Sequence, residues 1–345
     1  MICIRCGEDS KYPERTGKKC KKCGGAFAFE PRTGDVFTDM HLKKAIDAVS
    51  AEGAVAFHAD HVHHRLRRGR PHRAKRAWVP LLVIAAAFAV SVAADLGPVL
   101  GVAIGLPTFI VWVTMGARRP YFTAEQFEAA WRRYLAVHGT PRRLIQRLPQ
   151  PAAPERRLAE LEPDVADYSF DRAVICDRAR TADVFLANNF HFENNCAVLT
   201  EDGYPLQAFN TVRTMLARNP RLVVVAVHDA SVEGCALAHR LRKDPAWFRG
   251  GPQVHDLGLT PRQARAYRSS WLPAKGTARL PARVELSDKD REWLERWTLE
   301  LAVIPPEQLL KRVFRAFQAA EGATGSDGDL TVMATTSDGA SDSFG

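Results

Sequence analysis

From Trp78 to Met115 the chain reads WVPLLVIAAAFAVSVAADLGPVLGVAIGLPTFIVWVTM, with one charge, Asp95, near its centre beside Gly97-Pro98. A bilayer core about 30 Å thick is crossed by roughly 20 apolar residues of helix. The run divides at that turn into two stretches of about this length. The pattern predicts two transmembrane helices, since lipid leaves backbone groups no partners but their own. A buried hairpin in a soluble domain is the competing reading, and two adjacent uncharged runs fit such a core poorly. HHRLRRGRPHRAKR precedes the run and ARRP follows it. Lys and Arg gather on the cytoplasmic side. The expectation is an integral membrane protein with both termini cytoplasmic and only the Asp95 turn on the far face.

The net charge is +9 over 345 residues. Much of the excess lies beside the apolar run, where anionic lipid near Arg65–Arg76 accounts for it. Nucleic acid is the other partner such a charge suits. Four of the seven cysteines lie in the first 23 residues. With cytoplasmic ends, disulfides are not expected. Cys176, Cys196 and Cys235 read as reduced core residues.

Cys3 and Cys6, then Cys20 and Cys23, form two C-x2-C pairs separated by thirteen residues. Each pair folds back so that two thiolates face one ion, and two such knuckles close a tetrahedral site. Gly7 and Gly24-Gly25 supply the permissive backbone. Lys18, Lys19, Lys21 and Lys22 favour thiolate. The segment resembles a zinc ribbon, completed by a hairpin of AFAFEP and VFTD about Arg32-Thr33-Gly34-Asp35. With all four ligands from protein, the zinc is structural and the unit needs it to fold.

Thr38-Asp39 reads as the start of a helix over MHLKKAIDAVS. Beyond it His58, Asp60, His61, His63 and His64 crowd together. They admit a second metal site, but they merge into the arginine run and read better as a solvated basic helix. YFTAEQFEAAWRRYLAVHG predicts a helix with Phe127, Trp131, Tyr134 and Leu135 on one stripe. A Pro- and Arg-rich connector follows.

From Phe170 the pattern alternates. AVICD, CAVLTED, RLVVVAVHDAS and QVHDLGL are strand candidates, each followed by a helical stretch. Such alternation predicts a parallel sheet buried on both faces. Sites in these sheets lie at the carboxyl ends of strands. Here the ends carry Asp177, Glu201-Asp202 and Asp229-Ala230-Ser231. Converging acids hold Mg2+ through oxygen; acids at strand ends also cap helices, as Asp229 could.

LTEDGYPLQAFNTVRTML, VVVAVHDASVEGCALAHRL and DLGLTPRQA resemble the Toprim region of the DNA topoisomerase VI A-subunit family, over about Ala173 to Arg265. Gly203-Tyr204-Pro205 meets that family's Gly-Tyr-Pro. Asp229, Ser231 and Gly234 meet its Asp-x-Asp and Gly, and Gly258, Leu259 and Pro261 its Gly-Leu-x-Pro. The resemblance implies a Toprim-like fold contacting nucleic acid or protein, with Asp229, Ser231, Gly203 and Tyr204 as binding positions. Two departures imply lost cutting chemistry. Cys176-Asp177 stands where the family has Glu, and Ser231 replaces the second Asp. No counterpart of the family's nucleophilic Tyr is found.

Residues 287–320 predict two amphipathic helices broken at Pro305-Pro306, and the chain from Gly322 reads as disordered. The expected domains are a zinc ribbon (1–37), a helical basic segment (38–76), two transmembrane helices (77–116), a helix and linker (117–168), the Toprim-like domain with its C-terminal helices (169–321) and a tail (322–345). The function this predicts is a membrane-anchored, non-catalytic binding protein for nucleic acid or protein. Two alternatives stand beside it. One is a Mg2+-dependent nuclease or phosphoryl-transfer enzyme using Asp177, Glu201, Asp202 and Asp229. The other is a scaffold that binds only protein.

Overall fold

The computed structural model describes residues 1–68, 122–146, 170–205, 209–218, 222–244, 247–248, 253–274, 280–281 and 283–323. Two structural units emerge, and they touch.

The first begins with the two cysteine knuckles. Residues 1–37 contain only isolated bridges, Ile2 with Asp9 and Lys19 with Ala26, and single 3-10 turns. The expected hairpin after the second knuckle does not form strands. Pro31–Thr33 is a 3-10 turn closed by Gly34 at φ 101°. The backbone N–H groups of Ala28 and Phe29 donate to the Asp39 side chain, at 2.8 and 3.3 Å, where a partner strand was expected. Asp39 opens α1 (Asp39–Val49), whose N-cap Thr38 accepts from His41 N–H. α2 (Ala59–Arg68) and α3 (Ala124–His138) follow. α3 carries a capping box between Thr123 and Gln126, each satisfying one of the other's free N–H groups. Phe29, Phe37, Leu42, Phe57, Val62, Leu66, Phe127 and Trp131 share one core. Residues expected in three separate domains are therefore packed together.

The second unit is the α/β domain. Its elements run β1 (Arg172–Cys176), α4 (Ala179–Ala187), β2 (Cys196–Thr200), α5 (Phe209–Arg218), β3 (Val223–Val227), α6 (Leu237–Lys243) and β4 (Gln253–Asp256). The sheet is parallel throughout, in the order β2-β1-β3-β4. Successive side chains alternate in direction, so each strand feeds two cores. Val174, Val198, Val225 and Val227 face Phe185, Phe190 and Phe317. Ile175, Leu199, Val224 and Ala226 face Leu216, Leu237, Leu241 and Trp247. α7 (Asp288–Arg296) and α8 (Pro306–Ala323) complete the first of these faces. The strands flanking α7 in the chain, Leu272–Pro273 and Trp297–Thr298, form an antiparallel pair. α8 runs just into the expected tail; the remainder of that tail lies outside the described residues.

The transmembrane expectation is corrected. Among the described residues no helix is long and apolar enough to cross a membrane. The longest of them, α8 with 18 residues, carries Glu307, Lys311, Arg312 and Arg315, and charges at helical spacing are costly in lipid. The two-helix hairpin at 77–116, and the integral membrane location with both termini cytoplasmic, are therefore not part of the fold described here. The run Trp78 to Met115 itself lies outside the described residues.

Candidate functional site

The cysteine knuckles are two copies of one fold. Gly7 N–H donates to Cys3 O and Cys3 N–H to Glu8 O, each at 2.9 Å. Gly24 N–H to Cys20 O and Cys20 N–H to Gly25 O repeat the pattern at 2.9 Å. Gly7 and Gly24 have φ of 73° and 66°, the left-handed region that glycine occupies without strain. The sulfurs of Cys3 and Cys23, and of Cys6 and Cys20, are 3.7 Å apart. A disulfide needs about 2.05 Å. A tetrahedral ion with bonds of about 2.3 Å needs an S···S edge of about 3.8 Å. All four ligand atoms lie within 4.8 Å of one another. The four thiols can hold one metal ion. With no ion present the thiols share their protons unequally: the Cys20 thiol is drawn down to about 6, first by the backbone N–H groups of Cys23 and Lys22, while Cys6 is pushed up to about 12.

The second candidate site lies at the carboxyl edge of the sheet. The chain winds from β1 outward to β2, then back to β3 on the other side of β1. The crevice beyond the β1/β3 ends is the switch point where open α/β sheets bind ligands. Cys176 pairs with Val227, so Asp177 and Asp229 leave the sheet side by side. Asp229 N–H donates to Asp177 Oδ2 at 2.8 Å.

Asp229 is 2% exposed. Its Oδ1 accepts from Leu301 N–H at 2.6 Å, and its Oδ2 lies 2.7 Å from Arg178 Nε. Burial, then the charge of Asp177, push its pKa up to about 8. Burial also raises Asp177. Arg178 lies 3.6 Å from Glu300 as well. Asp229 does not cap a helix. That role belongs to Ser231, whose Oγ accepts from Gly234 N–H at 2.9 Å.

Glu201 and Asp202 do not join this pair. Arg240 Nε donates to Glu201 at 2.6 Å, and Asp202 accepts from the Thr200 hydroxyl. Among the described residues, the only group of three or more side chains placed to hold a metal ion is the four cysteines. Gly203 makes the turn after β2 at φ 95°. The Tyr204 hydroxyl donates to Asp183 on α4.

The histidines in and just before α2 do not converge on one point. His64 Nε2 lies 3.1 Å from Glu300, His61 Nδ1 lies 3.2 Å from His58 N, and His58 Nε2 lies 3.8 Å from Asp183. His58, His61 and His64 are buried, so α2 is not the solvated helix expected. At its last residue, Arg68 lies over the Tyr267 ring at 4.7 Å.

Several residues here were not singled out in the sequence. His228 donates from Nδ1 to Asp229 O at 2.6 Å and from Nε2 to Asp256 at 2.9 Å. Both partners only accept, so the imidazolium form satisfies both. Burial opposes that charge, but the bond to Asp256 outweighs it and the pKa is raised. Asp256 ends β4, so the strand-end argument could have found it. Glu300 lies in no motif and carries no such signal.

Two of the glycines singled out in the sequence, Gly234 and Gly258, have a steric basis. A Cβ on Gly258 would lie 2.1 Å from the His228 ring, and one on Gly234 would lie 2.4 Å from Asp229 O. Gly258→Ala is expected to lower stability by about 1–3 kcal/mol, the cost of overpacking a tight interior, measured by urea denaturation. An unchanged midpoint would mean that His228 moves freely.

In comparisons with known proteins, no family profile, no curated sequence and no solved structure matches the chain.

Proposed function

We propose that the chain is a non-catalytic binding protein: a zinc-stapled N-terminal unit docked on a Toprim-like α/β domain. The observation that carries this reading is the state of Asp229. Its two oxygens face the Leu301 N–H and the Arg178 guanidinium, and its neighbour Asp177 accepts from Asp229 N–H through Oδ2, which leaves Asp177 Oδ1 as a single oxygen facing no donor. Glu201 is held in the same way by Arg240. Hard cations need several oxygens free at once. The cleft beside Arg178, about 160 Å3 and bordered by Ser231, Glu233 and Glu300, is smaller than the roughly 300–1,000 Å3 of small-molecule sites. A macromolecular surface is the better fit for recognition. The net charge of +9 favours an acidic partner, with nucleic acid first and an acidic protein surface second.

The full chain is expected to leave supercoiled and single-stranded DNA uncut with Mg2+ or Mn2+. It should bind nucleic acid with an affinity that falls as salt rises. Asp229→Ala is expected to cost about 1–3 kcal/mol of stability, because it leaves the buried Leu301 N–H without its acceptor. Metal-dependent cleavage that disappears in Asp229→Ala at an unchanged melting temperature would replace this reading with the nuclease one.

A further inference from the structure

The seam between the two units is built from α2 and the segment that also braces Asp229. Asn188, just beyond α4, holds Ala56 at both backbone groups, accepting at 2.7 Å and donating at 3.1 Å. Arg180 pairs with Asp60. His64 meets Glu300, which also faces Arg178. His58 Nε2 and Asp183 Oδ2 face each other at 3.8 Å, both buried and neither hydrogen-bonded. His58, Asp60 and His61 share a small cavity with Arg178, Asp229 and Glu300. α2 thus covers the carboxyl edge of the sheet at the β1/β3 switch point.

We infer that α2 is an acid-released latch, which holds the N-terminal unit over this edge at neutral pH and lets it go on acidification while the sheet stays folded. The inference goes beyond the binding reading and does not depend on what the chain binds.

The charged groups at the seam do not act alike. His61 faces His58, His64 and Glu300; burial, then the neighbouring His58, hold it down to about 3. His58 faces Asp183, Asp60 and Arg180; burial lowers it although the two carboxylates oppose that shift. A histidine whose folded pKa is depressed contributes its full stability above its free value, about 6.5, and loses it as pH falls toward the folded value. Released from the seam, each of these rings takes a proton that the docked state resists. For His61 alone, docking weakens about tenfold for each pH unit below about 6.5, or roughly 30-fold at pH 5. Glu300 keeps its full contribution in this range, because a carboxylate held below its free value of 4.5 loses it only as pH falls under that value. The hydrogen bond from His64 holds it down to about 2, so the His64–Glu300 contact survives mild acid and does not trigger release. His63 packs against Phe122 and Phe127 of the N-terminal unit and also feels Glu300 across the seam; burial, first, holds it down to about 4.

The test is hydrogen exchange on the full chain between pH 7.5 and 4.5, with rates normalised to the intrinsic rate at each pH and metal content measured in the same samples. Protection in 59–68 is expected to fall below pH 6 while β1 and β3 keep theirs and the metal stays bound. His61→Leu should move that transition down by at least one pH unit. Should that variant fail to dock at pH 7.5, histidine NMR titration of the unaltered chain still decides the matter. A His61 value below 5 supports the latch, and one near 6.5 overturns it. Protection of 59–68 persisting to pH 4.5, simultaneous loss in β1 and β3, or opening only after metal release would each overturn it.

Discussion

Stripping the metal from the full chain is expected to melt residues 1–27 and leave α1, α2 and α3 folded. Apart from the thiols, the knuckles have almost nothing to bury: Cys3, Cys20 and Phe27 form their core, with Met1 and Cys6 at its margin. Phe29 and Phe37 belong instead to the helical core. Burial of one ring is worth about 1.5–3 kcal/mol. A metal–thiolate site, with an apparent binding free energy on the order of 10–16 kcal/mol for zinc, contributes several times more than that. Gly7 and Gly24 amides, now bonded to Cys3 and Cys20 carbonyls, should exchange at nearly free rates after chelation. One Zn2+ per chain should restore them, and Co2+ should give the spectrum of tetrahedral thiolate. Apo protein with those two amides still protected would refute a metal-dependent knuckle.

What could be read in the chain beforehand was what is local. A tetrahedral cysteine site is spacing plus glycine, and both are visible between Cys3 and Gly25. The four strands are short apolar runs closed by acids; β2 to β4 lie within the segments expected, and β1 starts one residue before its own. The sheet order is not local, because it depends on which crossover packs on which face. Nor was the role of the acids legible. Asp229 owes its state to Arg178 and to the Leu301 amide, 72 residues further on. The α2 histidines were misread for the same reason. Their arginine neighbours suggested solvent, yet the ring of His64 finds Glu300, 236 residues away. The apolar run at 78–115 was the loudest signal in the sequence, and it says nothing about how 28–66 packs against α3 from the other side of that run.

That packing depends on Asp39, and Asp39→Ala is expected to cost the N-terminal unit about 3–5 kcal/mol, the range for breaking a buried pair from one side. Asp39 is 0% exposed. It accepts from Ala28 and Phe29 and pairs with His138, the last residue of α3. One carboxylate thus ties the end of the second knuckle, the start of α1 and the end of α3. Its charge sits at a helix N-terminus and its partner's ring at a helix C-terminus, where the two macrodipoles favour a negative and a positive group respectively. Alanine would leave two buried N–H groups and the His138 ring without their acceptor. Asn keeps the shape and one acceptor oxygen but loses the charge, so Asp39→Asn should cost less, about 1–2 kcal/mol. In a double-mutant cycle with His138→Ala the two losses should fall short of adding by about 1–3 kcal/mol. Hydrogen exchange of α1 and α3 reads all four variants, the double mutant included, without interference from the α/β domain. If Asp39→Ala cost under about 1 kcal/mol, or if the cycle closed additively, the His138 link would be incidental, and the apolar core alone would be holding α3 to the rest of the unit.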